Sequence, residues 1–261
     1  MTRDAAFPGL RVEIGDGVAT LHLARPERRN ALSEELVEAL GHFFASPPEG
    51  VRAAVLLGDG DNFCAGLDLA EHRERTAVEV MENSQLWHRA FDRLERGQIP
   101  IVSALHGAVV GGGLELALST HVRVAESSVF YALPEGRLGI FVGGGGSVRI
   151  ARIIGVDQMR ELMLTGRRLS ADQGHHLGIS HELVGAGQAA ERAHELAARV
   201  ASNSPLANRV MLAALPHIGE MPAEEGLWAE SLVAALTQTT EDAAEGVRAF
   251  LEKRQPRFPR E

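Results

Sequence analysis

The spacing of apolar and polar residues in the first part of the chain changes from a period of two to a helical period. Arg11–Leu23 alternates apolar and polar side chains around Gly15–Gly17, which predicts two short strands joined by a tight turn. Ser33 then stands as a helix N-cap before apolar residues at helical spacing, among them Leu36 and Leu40. These residues predict one strand-strand-helix unit.

A second unit of the same kind follows, with a longer helix. The apolar run Val51–Leu57 predicts a buried strand, and the amphipathic pattern of Ala77–Leu94 predicts a long helix. Another apolar strand, Ile101–Leu105, leads to the glycine cluster Gly111–Gly113 and to a short helix predicted to begin near Leu114. Strands and helices thus alternate, which predicts an α/β protein.

The last quarter of the chain has no strand pattern. From about Gln188 to Phe250 it consists of alanine-rich helical segments that are punctuated by prolines. The sequence therefore predicts two regions, a core of residues 1–187 that carries any active site and a helical region of residues 188–261.

Length and charge exclude some classes of partner. A chain of 261 residues with 45% hydrophobic residues can bury a sizeable core. A net charge of -9 leaves no broad basic face for nucleic acid or an anionic membrane. No apolar stretch reaches the roughly 20 residues that cross a bilayer, and the first residues lack the apolar segment of a signal peptide. We therefore expect a cytoplasmic protein without nucleic-acid or membrane partners.

Cysteine and histidine residues give no sign of metal or disulfide chemistry. The single cysteine, Cys64, cannot form a disulfide within the chain, and its loop position predicts a small buried packing residue. His175 and His176 lie in a helical stretch that matches no recognised metal-binding motif. We expect no metal site.

The glycine cluster is followed at once by a glutamate in apolar surroundings. Glycines at a helix start leave backbone amides accessible, and the helix dipole adds positive charge there, which suits a developing oxyanion. Glu115 lies two positions after Gly113, among leucines, where burial can raise a carboxyl pKa to about 6 to 7. For this segment alone, a structural role explains Glu115 equally well, because a negative charge in the first turn stabilises a helix through its dipole.

Two other segments carry candidate chemistry. Glu135, in Leu133–Gly136, is predicted to lie in an apolar loop between a strand and another glycine-rich turn. Gly66 permits a positive φ, which would turn the amide of Leu67 toward a ligand. Two glutamates in similar apolar settings indicate an acid/base pair more strongly than either does alone.

In their order along the chain, these segments resemble the crotonase (enoyl-CoA hydratase/isomerase) family over nearly the whole sequence. The segments that carry the resemblance are Arg25–Pro26, Asn30–Leu32, Phe63–Leu69, Gly111–Ala117, Pro134–Glu135, Gly143–Arg149, Leu164–Gly166 and Phe250–Pro256. The resemblance implies a crotonase-like spiral of strand-strand-helix units with a C-terminal helical trimerisation region. It also implies a homotrimer or a dimer of trimers.

For the site, the resemblance implies an oxyanion hole formed by the amides of Leu67 and Gly112, with Glu115 and Glu135 acting through one water. Glu135 would exchange the proton at the α-carbon, and Glu115 would activate the water that adds to the β-carbon of a 2-enoyl-CoA thioester. Coenzyme A enters as part of this acyl-CoA substrate, so no separate cofactor is implied. The acyl-CoA contacts predicted with it are Arg28, Arg29, Ala65, Gly66, Asp68, Leu69, Gly111, Leu133, Gly143, Phe250 and Lys253.

Other activities of the family remain open at this point. Isomerases, dehalogenases and decarboxylases of the family often lack one glutamate, so the pair favours an enoyl-CoA hydratase. An enoyl-CoA isomerase that uses Glu135 alone and a non-catalytic acyl-CoA-binding protein are the alternatives. Gly136 and Ile140–Ser147 depart from many relatives and resemble hydratases of short or substituted acryloyl thioesters, such as methylthioacryloyl-CoA hydratase.

Overall fold

The computed structural model describes residues 7–71 and 74–258, which alternate strands and helices up to Val184 and form only helices after it. The strands are β1 (Leu10–Gly15), β2 (Val18–Leu23), β3 (Ala53–Gly58), β4 (Ile101–Leu105), β5 (Ala108–Val110), β6 (Val122–Glu126), β7 (Phe130–Ala132), β8 (Arg168–Ser170) and β9 (Glu182–Val184). The helices are α1 (Glu34–Ala45), α2 (Ala77–Glu95), α3 (Gly112–Ala117), α4 (Glu135–Leu138), α5 (Gly146–Ile154), α6 (Val156–Thr165), α7 (Ala171–His176), α8 (Ala189–Ala201), α9 (Pro205–Ile218), α10 (Ala223–Gln238) and α11 (Glu241–Leu251).

The first two predicted units are confirmed. β1 and β2 form an antiparallel hairpin whose turn contains Asp16 with φ 50° and Gly17 with φ 78°. Ser33 caps α1 by accepting a hydrogen bond from the Leu36 amide at 3.2 Å. The long second helix is α2, which begins with a capping box between Thr76 and Glu79.

The strands form two sheets, one large and one small. The large sheet has the order β1-β2-β3-β4-β6-β9 and is parallel except for the first pair. The small sheet has the order β5-β7-β8. β5 follows β4 after only two residues, so the chain passes from the large sheet to the small one just before Gly111. The candidate site residues therefore lie where the two sheets meet.

Each face of the large sheet packs against a different kind of surface. In β3, Ala53 and Val55 face α8, whereas Ala54 and Leu56 face the main core. α8 presents alanines at every fourth position to the sheet, which allows a close approach of helix and strands. The opposite face packs against the aromatic and aliphatic side chains of α1 and α2.

Three predicted boundaries differ from the structure. β3 begins at Ala53, not at Val51, because the Val51 amide closes a turn onto the Pro48 carbonyl. α3 begins at Gly112, two residues before the predicted start. Glu135 does not lie in a loop but opens the one-turn helix α4, which Gly139 ends in the left-handed conformation with φ 69°.

The C-terminal region is helical, as its composition predicts. α10 packs against α9 and α11, and many of its apolar side chains remain exposed in the single chain. The exposed large apolar residues of these three helices and of the turn between α9 and α10 are Met211, Leu215, Met221, Leu227, Trp228, Leu232, Leu236, Val247, Phe250 and Leu251. We call this set the C-terminal apolar surface. Within the described residues, no helix combines the length and apolar character that a membrane span requires.

Candidate active site

The loop that carries Gly66 is fastened to the small sheet. The Cys64 amide donates to the Ala108 carbonyl at 2.9 Å, and the Val110 amide donates to the Cys64 carbonyl at 3.1 Å. Cys64 thus pairs with Val109 as a short parallel extension of β5. This pairing sets Gly66 and Leu67 beside the glycine cluster that begins at Gly111.

Glycine is required where the two segments meet. A Cβ on Gly66 would lie 2.7 Å from the Val110 carbonyl oxygen and 3.2 Å from the Gly112 nitrogen. A Cβ on Gly113 would lie 2.3 Å from the Cys64 carbonyl oxygen. Gly66 also has φ 95°, which confirms its predicted positive φ. No other residue allows the two backbones to approach so closely.

Two backbone amides are left available at this contact. The Leu67 nitrogen lies 3.5 Å from the position that a Cβ of Gly112 would take, so the two residues are neighbours. Within the described part of the chain, neither the Leu67 nor the Gly112 amide donates a hydrogen bond. Gly112 is the first residue of α3 and has no helical acceptor for its N–H. The pair can therefore bind an oxygen that carries developing negative charge.

Glu115 is buried one turn further along α3. Glu115 is 3% exposed. Its Oε1 accepts hydrogen bonds from the Gly144 amide at 2.8 Å and from the Gly146 amide at 2.7 Å. Burial raises the pKa of the Glu115 carboxyl above its usual range, although these amides and Arg149 act in the opposite direction. One carboxylate oxygen is thus held in place by the glycine loop.

The loop Gly143–Gly146, called the glycine loop here, is itself held from two sides. Arg149 donates from Nη1 to the Gly144 carbonyl at 3.0 Å and from Nε to Glu95 at 2.7 Å. Ser84 on α2 donates from its hydroxyl to the Gly143 carbonyl at 2.7 Å. The orientation of Glu115 therefore depends on groups in α2 and α5 as well as on its own helix.

Glu135 faces the glycine cluster from α4. It is 6% exposed, and a Cβ on Gly111 would lie 2.8 Å from its Oε1. Its Oε2 is buried and has no hydrogen-bond partner among the described residues. Burial raises the pKa of Glu135 to about 7, and the charge of Glu115 adds to the shift. The structure thus brings both predicted glutamates and both predicted amides together.

Asp68 has a supporting position beside this site. Its carboxylate is buried and accepts hydrogen bonds from Arg25 Nη2 at 2.7 Å and from the Ala70 amide at 3.0 Å. The Asp68 side chain therefore holds the loop in shape. Its backbone amide donates to the Leu32 carbonyl at 3.0 Å, so its own carbonyl is the backbone group left for the predicted acyl-CoA contact.

The remaining predicted contacts lie in three places. Arg28, Arg29 and Leu69 are exposed, and the Ala65 amide joins the two segments by donating to the Arg29 carbonyl at 3.0 Å. Leu133, two residues before Glu135 in the chain, is fully buried. By contrast, Phe250 and Lys253 lie exposed at the far end of α11, which packs on α10. The predicted role of these two residues in binding acyl-CoA stays a prediction.

Sequence reasoning did not identify the residues of α2 that reach the site. Ser84, Trp87 and Phe91 follow one another at helical spacing, so they share one face of the helix. Trp87 lies against Gly112 and Gly144, and Phe91 lies against Gly144. The amphipathic pattern predicts this buried face, but only the structure shows that it meets the two glycine segments.

Replacing Glu135 by glutamine should stabilise the fold in a pH-dependent way. A carboxyl whose pKa is raised from 4.5 to about 7 in the folded protein loses stability as the pH rises between these values, and glutamine does not. We expect the gain in free energy of unfolding of Glu135→Gln to grow over this range, reach about 1–3 kcal/mol and stay constant above it. Urea unfolding from pH 4 to 9 measures it. The exposed Glu82→Gln variant is the control, and a gain that does not change with pH would contradict this electrostatic account.

Comparison with known proteins gives a consistent family. A family model described as enoyl-CoA hydratase/isomerase matches residues 13–261. A crystal structure of a Rhodopseudomonas palustris CGA009 protein is 50% identical, with a TM-score of 0.91 over 94% of this chain and 95% of that one. Enoyl-CoA hydratase from Bacillus anthracis is 32% identical, with a TM-score of 0.90 over 97% and 100%. The short-chain-enoyl-CoA hydratase of Clostridium acetobutylicum is 30% identical over 91% and 92%. With the fold and the paired amides and glutamates, these matches establish that the chain belongs to the enoyl-CoA hydratase/isomerase (crotonase) family.

Proposed function

We propose that this protein is an enoyl-CoA hydratase that adds water across the 2,3 double bond of a 2-enoyl-CoA thioester. The observation that carries the proposal is the meeting of two buried glutamates with two unpaired amides around Gly111 and Gly112. The amides suit the oxygen of a thioester carbonyl, and the glutamates suit proton transfer at the two adjacent carbons.

The amides of Leu67 and Gly112 would bind the carbonyl oxygen of the thioester. When water adds to C3, negative charge moves to this oxygen in an enolate-like state. Removing one donor of such a hole costs about 2.7–4 kcal/mol of transition-state stabilisation in other enzymes. Because the hole is built of backbone at a glycine contact, its donors are already in place before substrate binds.

Glu115 would act as the base toward water. Its Oε1 is occupied by the Gly144 and Gly146 amides, so Oε2 is the oxygen left to accept a proton. As the carboxylate takes this proton, the water oxygen forms its bond to C3 and the π electrons shift toward the thioester carbonyl.

Glu135 would supply the proton that C2 gains. A pKa of about 7 leaves a large fraction of this carboxyl protonated at neutral pH, so Glu135 can donate a proton. Its Oε2 has no hydrogen-bond partner among the described residues, so no group of the protein competes for the proton that it would transfer. Water thus delivers its oxygen to C3 and a proton to Glu115, and Glu135 delivers a proton to C2. Proton exchange with solvent would then return Glu115 to the carboxylate and Glu135 to the acid.

The coenzyme A part of the substrate would lie along the loop of residues 65–69. Arg28 and Arg29 are exposed beside this loop and can pair with phosphate groups. Lys253 and Phe250 would complete the nucleotide site only if α11 lies next to it, for example on a neighbouring subunit.

The first test measures the loss of enoyl-thioester absorbance after the enzyme is added to crotonyl-CoA. We expect rapid loss with the wild type, and a kcat lower by about 10²- to 10⁴-fold for Glu115→Gln and for Glu135→Gln. Both variants should still bind butyryl-CoA, because the amide is isosteric with the carboxyl group. The exposed Glu82→Gln variant serves as the control.

This test also separates the alternatives. An isomerase would leave crotonyl-CoA unhydrated, would move the double bond of a 3-enoyl-CoA and would keep much of that activity in Glu115→Gln. A non-catalytic acyl-CoA-binding protein would bind crotonyl-CoA and leave its absorbance unchanged. Either result would overturn the hydratase proposal.

Arg149 should control both the position and the ionisation of Glu115. Its positive charge lowers the Glu115 pKa, so Arg149→Gln should move the acid limb of the pH–rate profile to higher pH. Release of the Gly144 carbonyl should also lower kcat by about tenfold to a hundredfold. Arg149→Lys keeps the charge and should leave the acid limb in place. The control is Arg152→Gln on the same helix, whose partner is Glu220; equal profiles for the two glutamine variants would contradict this role.

We also propose that the protein assembles as a homotrimer or as a dimer of trimers through the C-terminal apolar surface. A cluster of exposed apolar side chains on three neighbouring helices is typical of an interface. Light scattering should give a mass three or six times that of one chain, and Leu232→Glu should lower it. Val156→Glu, at an exposed apolar residue of α6, is the control. A monomeric wild type would contradict assembly through this surface.

A further inference from the structure

Trp87 occupies an unusual place between the two glycine segments. It is 5% exposed, and a Cβ on Gly112 would lie 2.9 Å from its Cζ3 and 3.3 Å from its Cη2. A Cβ on Gly144 would lie 3.1 Å from its Cε3. The benzene edge of the indole therefore contacts the backbone that donates to the oxyanion and also the loop that holds Glu115.

The indole is supported from behind by a second aromatic ring. Phe91, one helical turn further along α2, packs edge to face against Trp87 with ring centroids 5.6 Å apart. Phe91 also lies against Gly144, where its Cε2 is 3.0 Å from the position of a Cβ. Because both rings are buried in the main core, the indole is a fixed wall and not a movable side chain.

We infer that Trp87 is the specificity-determining residue of the acyl site and that it restricts the enzyme to thioesters with a small substituent on C3. This inference rests on the proposed hydratase function. In the proposed complex, the Leu67 and Gly112 amides hold the carbonyl oxygen and C3 lies within reach of Glu115. The acyl group then passes between the backbone segments at Gly112 and Gly144, which the indole edge contacts. A long substituent on C3 then meets the indole.

The predicted substrate class is accordingly the short 2-enoyl-CoA thioesters, such as crotonyl-CoA and acryloyl-CoA derivatives with one or two heavy atoms on C3. Longer chains need the volume that the indole fills. A pocket that lacks room for added methylene groups discriminates by roughly tenfold or more per group. Chain-length preference therefore tests the position of Trp87 directly.

The experiment compares kcat/KM for 2-enoyl-CoA substrates of four, six, eight and ten carbons. The wild type should prefer four carbons over six by about a hundredfold or more. Trp87→Leu should reduce this ratio at least tenfold by gaining activity on the longer chains, and Trp87→Phe should reduce it less. Phe44→Leu is the matched control, because it removes a buried aromatic ring of the same core on α1. Its ratio should stay within about twofold of the wild type.

The outcomes separate this inference from the hydratase proposal. A wild type that hydrates none of the substrates overturns the proposed function. A wild type that hydrates all lengths equally, or a ratio that Trp87→Leu leaves unchanged, overturns the role of Trp87 and leaves the hydratase proposal intact.

A second measurement needs no change at Trp87, in case its variants fail to fold. The chain has two tryptophans, and the other, Trp228, is 66% exposed on α10. In a Trp228→Phe protein the fluorescence comes from Trp87 alone. Butyryl-CoA should change its emission, whereas coenzyme A without an acyl group should not. If calorimetry shows that butyryl-CoA binds while the emission stays constant, Trp87 does not contact the acyl group and the inference fails.

Discussion

The site depends on one close contact between two backbone segments, the loop at Gly66 and the turn at Gly111–Gly113. The pairing of Cys64 with β5 brings the segments together, and the absence of Cβ atoms lets them touch. Side chains at these positions would push the segments apart and separate the Leu67 and Gly112 amides. The oxyanion site is thus a consequence of sheet pairing and of glycine, and it requires no movement to form.

The two glutamates lie beside this contact and take their properties from burial. Glu115 lies in α3, the helix that begins at Gly112, and Glu135 lies at the start of α4. Each is nearly excluded from solvent. Burial raises both pKa values. At Glu115 the amides of the glycine loop and Arg149 oppose the shift, whereas at Glu135 only its own backbone amide opposes it and the charge of Glu115 adds to it. Glu135 keeps an unpartnered oxygen, an arrangement that lowers stability and leaves the carboxyl ready for proton transfer.

Much of the fold could be predicted because residues close together in the sequence determine most of its strands and helices. The alternation in β1 and β2, the Ser33 cap and the amphipathic run of α2 each depend on residues a few positions apart. The errors arose at short local turns, whose hydrogen bonds the spacing of apolar residues does not report. The turn onto Pro48 shortened β3, and Glu135 became the first residue of a helix because the following residues closed a turn ended by Gly139.

The sequence by itself determined the residue types of the site, namely glycines that permit close approach and glutamates set among apolar neighbours. Their order along the chain also carried the family resemblance. Only the tertiary structure decided that Asp68 turns its carboxylate to Arg25, that Arg149 holds the Gly144 loop and that Trp87 faces Gly112. Local periodicity specifies which side of an element is buried, but it contains no information about which distant segment will cover that side.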